Sequence, residues 1–216
     1  MFYIGSCRYM KYWDHFPARL HTTREIIFFL ENIKNLKEIE EYPRDLANCI
    51  WGDIYHPGVI SESIRFMSTP LRKYTKVVVE ISSRKVMYYR DIPVNHYYAD
   101  VYKLAKPYAL VEKILTPKEI EDDIVRIQQL CTTLWGATLH IIPHLNLKTR
   151  SIHDYIPERK LLVDVIETVC LNHSIRFHNI GKYLESIHEC FLEECMSNSS
   201  HYYDYTHINA FVKTIL

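Results

Sequence analysis

The segment KYTKVVVEIS, residues 73–82, constrains the fold of this chain most strongly. It is a continuous run rich in β-branched residues, and charged residues bound it. Such a run is typical of a strand that is buried on both faces within a parallel sheet. A parallel sheet of this kind needs helices on its faces, so the rest of the chain is expected to alternate strands with helices.

The remaining segments fit that alternation. Four further runs are predicted as strands, namely MFYIG (1–5), LANCIWG (46–52), ATLHIIP (137–143) and SIRFHNI (174–180). Helical spacing or length predicts helices over residues 21–36, 59–67, 116–135, 157–173, 181–195 and 206–216. The pattern predicts one α/β domain over residues 1–216. Its architecture is expected to be a three-layer, doubly wound, flavodoxin-like five-stranded parallel sheet with helices on both faces.

Start signals support three of these helices, and one segment departs from the alternation. Thr22 and Glu25 form a capping-box pattern, Thr116 and Glu119 form another, and Pro157 suits a first helical position. Residues 91–115 interrupt the strand–helix order and are predicted to form a helical insertion over the ligand pocket.

Composition excludes several classes of protein. The 216 residues carry equal numbers of basic and acidic side chains, 26 of each, so nothing favours electrostatic capture of nucleic acid or of an anionic membrane. No apolar run is long enough for a membrane helix, and no signal peptide is recognised. The six cysteines form no CxxC pair, which favours free thiols in a reducing, cytoplasmic compartment and no metal site.

In a doubly wound sheet the ligand lies beyond the carboxyl ends of the strands, so the residues that follow each strand are the candidates for chemistry. Ser6 or Cys7, after Gly5, would present a hydroxyl or thiol beside backbone amides that stabilise an oxyanion. Arg8 would lower the pKa of the thiol. Further candidates for substrate contact after the later strands are Ser83, Arg84, His144 and Asn146.

A second candidate lies near the end of the sequence, in DYTHIN. Asp204 and His207 are three residues apart at the start of a predicted helix, where the carboxylate can orient the imidazole as a general base. Asp53 and His56 repeat this spacing, which shows that the pattern is common. Taken alone, Asp204 also suits a helix N-cap, and Cys7 also suits a buried, inert position.

Together, the GSC opening and the late Asp-x-x-His resemble the SGNH/GDSL hydrolase superfamily, and in particular its GSCFA and capsular-polysaccharide acetyltransferase branches. The resemblance implies that Cys7 takes the nucleophile position, with Ser6 as the alternative. It also implies His207 as the base and Asp204 as its orienting group. For the oxyanion it implies a donor at Gly58, with Gly52 as the alternative, and a polar residue after the third strand, where Ser83 stands instead of the family's G-x-N-D motif.

The resemblance implies an acyl (acetyl) transferase or esterase that acts on a glycan, polysaccharide or related hydroxyl acceptor. Acetyl-coenzyme A is a candidate donor, although no motif in the sequence binds it recognisably, and the expected partner is a small molecule or glycan. Two alternatives stay open, a non-catalytic SGNH-fold module that binds a glycan or a partner, and a phosphoester-processing enzyme that uses the Arg and His side chains at the rim.

Overall fold

The structure is a computed structural model that describes residues 1–5, 9, 13–33, 41–51, 74–187, 191–195 and 205–215. The strands in these ranges are β1 (Phe2–Gly5), β2 (Asp14–Arg19), β3 (Lys76–Ile81), β4 (Lys85–Tyr89), β5 (Ile92–Val94), β6 (Val111–Ile114), β7 (Thr138–Pro143) and β8 (Arg176–Phe177). The helices are α1 (Thr23–Asn32), α2 (Arg44–Ile50), α3 (His96–Val101), α4 (Pro117–Trp135), α5 (Pro157–Asn172), α6 (Ile180–Ile187), α7 (Leu192–Cys195) and α8 (Tyr205–Lys213).

Two sheets organise the described part of the chain. The larger sheet has the order β2-β1-β3-β7-β8, and every neighbouring pair in it is parallel. β3 pairs with β7 over their whole length, from Lys76 opposite Thr138 to Ile81 opposite Pro143. The smaller, antiparallel sheet has the order β5-β4-β6. The prediction of an α/β protein with a parallel sheet is therefore confirmed.

The start signals read from the sequence are also confirmed. The Thr22 side chain accepts a hydrogen bond from the backbone N–H of Glu25, and α1 follows it directly. Thr116 and Glu119 make both bonds of a capping box at the start of α4. Pro157 is the first residue of α5, a position at which a backbone N–H has no partner within the helix, so proline fits there without the loss of a helical hydrogen bond.

The prediction of a second strand over residues 46–52 is wrong. Residues 44–50 form α2, and its last five residues are all buried. A short apolar run buried on every side looks the same as a buried strand in sequence, so periodicity could not separate the two. The strand that pairs with β1 on its other side is instead β2, at the edge of the sheet. It contains Pro17, which an edge strand tolerates.

The segment 91–115 differs from the helical insertion expected. It contains β5, the single short helix α3 and β6. β4 and β5 form a hairpin in which Tyr89 pairs with Ile92, and Arg90 in the turn has φ 56°. The β-branched residues Ile92, Val94 and Val111 favour strands. This local preference outweighs the pattern that predicted a helical insertion over residues 91–115.

The larger sheet has two different faces. Its apolar face carries Phe2, Ile4, Val77, Val79, Ile81, Leu139 and Ile141, which pack in one core with α1, α2, α4 and α5. On its mixed face Tyr3, Val78 and Ile142 pack in a second core with α6, α7 and α8. Strand alternation puts Glu80 and His140 on this mixed face as well. Helices thus cover both faces, and no helix in the described part of the chain has the length and apolar character to cross a membrane.

Candidate functional site

Backbone hydrogen bonds tie the loops together at the carboxyl edge of the larger sheet. The N–H of Leu20, just after β2, donates to the carbonyl of Gly5 at the end of β1, at 3.0 Å. The N–H groups of Ser82 and Ser83, just after β3, both donate to the carbonyl of His21, at 2.9 and 3.0 Å. The ends of β1, β2 and β3 therefore form one continuous rim, with β1 in the middle.

Gly5 is required by space at this rim. A Cβ atom on Gly5 would lie 2.6 Å from Tyr3 Oη and 2.7 Å from Glu80 Cβ, closer than real Cβ contacts. Among the described glycines only Gly136 has a positive φ. The absent side chain of Gly5 therefore makes room for Tyr3 and Glu80.

Tyr3 and Glu80 form a buried polar pair on the mixed face, directly beside Gly5. The Tyr3 hydroxyl donates to Glu80 Oε2 at 2.5 Å, and both residues are fully buried. A hydrogen bond to a buried carboxylate is short and strong, and it fixes the neighbouring backbone. This pair was not predicted from the sequence. The available signal was the lone carboxylate within the apolar run VVVEI.

A second buried carboxyl group, Glu25, lies behind His21. It accepts hydrogen bonds from the His21 N–H at 3.0 Å, from Thr22 Oγ1 at 2.9 Å and from Asn95 Nδ2 at 3.1 Å. Burial raises the pKa of Glu25 to about 7, against the lowering effect of these donors. The Glu25 side chain thus holds the start of α1, His21 and the small sheet together, and it titrates near neutral pH.

Aromatic rings surround His21 at the rim. The ring centroid of His21 lies 5.8 Å from that of His96 and 6.5 Å from that of Tyr97. Tyr97 and Tyr102 are 40% and 43% exposed, and Arg19 Nη1 donates to Tyr98 Oη at 3.0 Å. Burial, followed by the charge of Lys85, lowers the pKa of His96. The exposed ring of Tyr97 beside His21 offers a face on which a flat or cyclic ligand can stack.

Two of the predicted substrate contacts, Ser83 and Arg84, have hydrogen-bond partners within the structure. Ser83 Oγ accepts a hydrogen bond from the Lys85 N–H at 3.0 Å, within the turn that leads into β4. Arg84 donates to Glu158 at the start of α5, at 3.0 Å from Nε and 2.5 Å from Nη2. The structure thus uses the Ser83 hydroxyl in a turn and directs the Arg84 guanidinium towards α5.

His144 and Asn146 follow β7, as predicted. The His144 N–H donates to the carbonyl of Ile81 at 2.9 Å, and its side chain is buried. The backbone carbonyl of Asn146 lies so close to α6 that a Cβ atom on Gly181 would be 2.5 Å from it. Both residues therefore lie between the sheet and α6, in the close-packed start of the loop after β7.

The remaining candidates fall largely outside the described residues. Ser6, Cys7, Arg8, Gly58 and Asp204 lie outside them. His207 is in the first turn of α8, where the structure describes the backbone.

The position of α8 on the larger sheet is defined by contacts along the helix and just beyond its end. Lys76 Nζ, at the start of β3, donates to the carbonyl of Ile215 at 3.3 Å, just beyond the end of α8. The helix packs on the mixed face through Ile208, Phe211 and Val212, in the core that also contains Tyr3 and Val78. α8 therefore ends near the amino edge of the sheet, with its apolar residues on the mixed face.

Two cysteines that can serve as references for thiol reactivity lie deep in the apolar core. Burial raises the pKa of Cys131 and of Cys170 to about 12. The four described cysteines are Cys49, Cys131, Cys170 and Cys195, and all are free and buried. A thiol in such surroundings is a poor nucleophile. In the described ranges, His, Cys, Asp and Glu side chains form no group of three or more that could hold a metal ion.

Comparison with known proteins gives no relative for this chain. No family model, no curated protein and no solved structure matches it.

Proposed function

We propose that the chain is an SGNH-like acyl (acetyl) transferase or esterase that uses a relay of Cys7 or Ser6 with His207 and Asp204. Its acceptor is a hydroxyl group of a glycan or a related small molecule, or water in the hydrolytic reaction. The observation that carries the proposal is the place of β1 between β2 and β3 in the larger sheet, with Gly5 at its carboxyl end.

Strand order supports this assignment. Numbered in chain order within the larger sheet, the strands run 2-1-3-4-5 across it, which is the order of flavodoxin-like doubly wound folds. In such folds the ligand binds at the switch point between the first and third strands. Gly5 ends the first strand at that point, and Ser6 and Cys7 follow it in the sequence.

The position of α8 supports the other half of the relay. The helix packs on the mixed face and ends near the amino edge, where Lys76 donates to the carbonyl of Ile215. His207 is in its first turn and Asp204 precedes the helix in the sequence, and in the proposed relay both lie at the carboxyl edge, beside the residues that follow β1. A nucleophile and a base that meet there satisfy the first requirement of covalent acyl transfer.

The reaction follows from these roles. His207 takes the proton of the Cys7 thiol, and the sulfur attacks the acyl carbonyl to give a tetrahedral oxyanion, which backbone N–H groups after β1 and at Gly58 stabilise. His207 returns the proton to the leaving group, and a thioester to Cys7 remains. An acceptor hydroxyl or water then attacks the thioester while His207 takes its proton, and the released Cys7 regains it.

Ser82 and Ser83 are left out of the oxyanion hole, because their N–H groups already bind the carbonyl of His21. The exposed ring of Tyr97 lies beside His21 and suits the face of a sugar ring. Acetyl-coenzyme A remains the candidate donor, and it has no assigned contacts.

Single substitutions test the relay. The assay follows hydrolysis of p-nitrophenyl acetate and transfer from acetyl-coenzyme A to a panel of oligosaccharides. We expect Cys7→Ala and His207→Gln each to reduce the rate at least ~100-fold, the range of a lost nucleophile or general base. His56→Gln is the matched control, since Asp53 and His56 repeat the spacing, and it should keep full activity. Loss with Ser6→Ala alone would transfer the nucleophile to Ser6.

Thiol labelling gives an independent readout. A catalytic Cys7 should react with iodoacetamide at a pH well below ~8.5, the ordinary value for cysteine, and Cys7→Ala should abolish that fast labelling. The buried Cys131 and Cys170 should not react in the folded protein. Absence of turnover, together with ordinary reactivity of Cys7, would favour the non-catalytic binding module instead.

A further inference from the structure

A cavity opens at the amino edge of the larger sheet, away from the proposed active site. Its volume is about 610 Å³, and its walls come from the starts of β3, β7 and β8, from α4 and from the residues just after α8. Lys76, Thr138 and Arg176 stand at those strand starts. Ligand cavities in proteins typically have volumes of ~300–1,000 Å³, so this one can hold a small organic molecule.

The described residues that line the cavity carry ionisable groups of one sign. They are Lys76, His140, Arg176 and His178, and no Asp or Glu is among them. Arg176 is exposed to solvent, and its guanidinium makes no ion pair with any residue that the structure describes. A concave wall lined by basic groups focuses a positive potential on its interior.

Two stacked imidazoles form the floor of the cavity. His140 Nδ1 and His178 Nε2 are 2.9 Å apart and share a hydrogen bond. The two rings are parallel within 4° at 5.2 Å, and His140 is only 7% exposed. One ring donates its N–H to the other, which leaves an outer nitrogen on each ring. His140 Nε2 lies 3.4 Å from Thr138 Oγ1.

The surroundings keep this pair neutral. Burial first, then His178, Lys76 and Arg176, lower the pKa of His140 to about 4. Burial, Arg176 and Lys76 also lower the pKa of His178. The groups that face the pair are Lys76 on β3, Thr138 on β7, Arg176 on β8, and hydroxyl and amide side chains of α4 and of the end of α8. None of these groups is acidic, so an anion that enters would favour protonation of the pair.

We propose that this cavity binds the phosphate group of a small organic phosphomonoester. Arg176 and Lys76 supply the positive charge, the His140–His178 pair donates a hydrogen bond from its floor, and Leu139 and Ile175 line the space for the organic part. Arginine and lysine are the side chains that proteins use most for phosphate. The site is independent of the proposed acyl-transfer chemistry, which lies at the opposite edge of the sheet.

Binding to this site takes up a proton. A phosphate dianion between Arg176 and the imidazoles offsets the positive potential, and the pKa of the pair rises on binding. Affinity therefore increases as the pH falls from 8 towards 6.5. Below ~6 the phosphate itself loses its second charge, so the affinity stops rising there.

The experiment is isothermal titration calorimetry of the full chain with AMP, inorganic phosphate and adenosine. We expect AMP to bind, phosphate to bind more weakly and adenosine not to bind. Arg176→Gln should weaken AMP binding at least ~10-fold, and His140→Gln should remove the proton uptake seen as a buffer-dependent enthalpy. Arg90→Gln, which changes an exposed arginine outside the cavity, is the matched control and should bind as the unchanged protein does.

Several results would overturn the proposal. These results are the absence of any binding heat with millimolar AMP, equal affinities for adenosine and AMP, or an equal loss of AMP affinity in Arg90→Gln and Arg176→Gln. If His140→Gln does not fold, Arg176→Gln and Arg176→Lys carry the test, because residue 176 is exposed. Arg176→Lys should retain part of the affinity, since a lysine keeps the charge and loses the bidentate geometry.

Discussion

The two faces of the larger sheet differ in what they bury. On the apolar face every inward side chain of β1, β3 and β7 is a hydrocarbon, as the places of Phe2 and Ile141 illustrate. The mixed face buries Tyr3 with Glu80 near the carboxyl edge, and His140 with His178 near the amino edge. Since alternate residues of one strand supply both faces, a single strand can serve the core with one half of its residues and polar networks with the other.

The largest expected effect lies on the apolar face. Ile141→Ala removes three buried carbon atoms from the centre of the sheet, where Ile141 is fully buried, and should lower the free energy of unfolding by about 2–5 kcal/mol. Urea unfolding followed by circular dichroism measures this change. Leu171→Ala, which truncates an exposed leucine on α5, is the control and should cost less than ~1 kcal/mol. An equal cost for both variants would contradict the division into faces.

How much of this the sequence predicts depends on the kind of signal. β3 and β7 were predicted because two-sided burial leaves a continuous apolar run, and α1, α4 and α5 because their caps and apolar spacing agree. β2 was missed, because the edge strand DHFPAR has no apolar run. The partners of Glu80 and His178 could not be predicted, since Tyr3 lies 77 residues from Glu80 and His140 lies 38 from His178. Strand register, which no local pattern encodes, brings them together.

The second effect concerns Glu25, a carboxyl group buried on the side of the apolar face. Its pKa is raised from 4.5 to about 7 in the folded chain, so the folded state holds a proton that the unfolded state loses above pH ~4.5. Stability should therefore fall as the pH rises from about 4.5 to 7, by at most about 3 kcal/mol, and stay level above that.

Unfolding in urea at pH 5 and pH 8 measures this difference. Glu25→Gln should abolish the fall, because its amide does not titrate in this range. Glu31→Gln, on an exposed residue of the same helix, should leave the fall unchanged. A fall that persists in Glu25→Gln would assign it to another group.

The third effect tests the close approach of β1 and β3 beside the polar pair. Gly5→Ala places a methyl group within 2.6 Å of Tyr3 Oη and 2.7 Å of Glu80 Cβ, and such overpacking should cost about 1–3 kcal/mol. Removing the hydroxyl by Tyr3→Phe relieves the nearest clash, so the double variant should lose less than the sum of the single losses. Additive losses in the double-mutant cycle would show that the two sites are not coupled.

The smallest effect concerns His140 on the mixed face, whose contribution to the pH dependence of stability is opposite in sign to that of Glu25. The pKa of His140 is lowered from 6.5 to about 4 in the folded chain, so below pH ~6.5 the unfolded state binds a proton that the folded state does not. Stability should fall as the pH falls from about 6.5 to 4. The effect should be smaller than that of Glu25, because the His140–His178 pair borders an open cavity where solvent screens its charge.

His140→Gln should reduce the loss of stability between about pH 6.5 and 4. His153→Asn is the control and should leave that loss unchanged, because it changes an exposed histidine at a position with φ 50° that asparagine tolerates. The Glu25 and His140 titrations overlap between about pH 4.5 and 6.5 and act there with opposite signs. Glu25→Gln should therefore make the loss of stability towards acid pH steeper, and His140→Gln should make it shallower. If both variants changed this slope in the same direction, the assignment of one titrating group to each face would fail. The same measurement also tests the cavity. A bound phosphate that raises the pKa of the His140–His178 pair should reduce the loss of stability at acid pH in the unchanged protein, and it should not change that loss in His140→Gln.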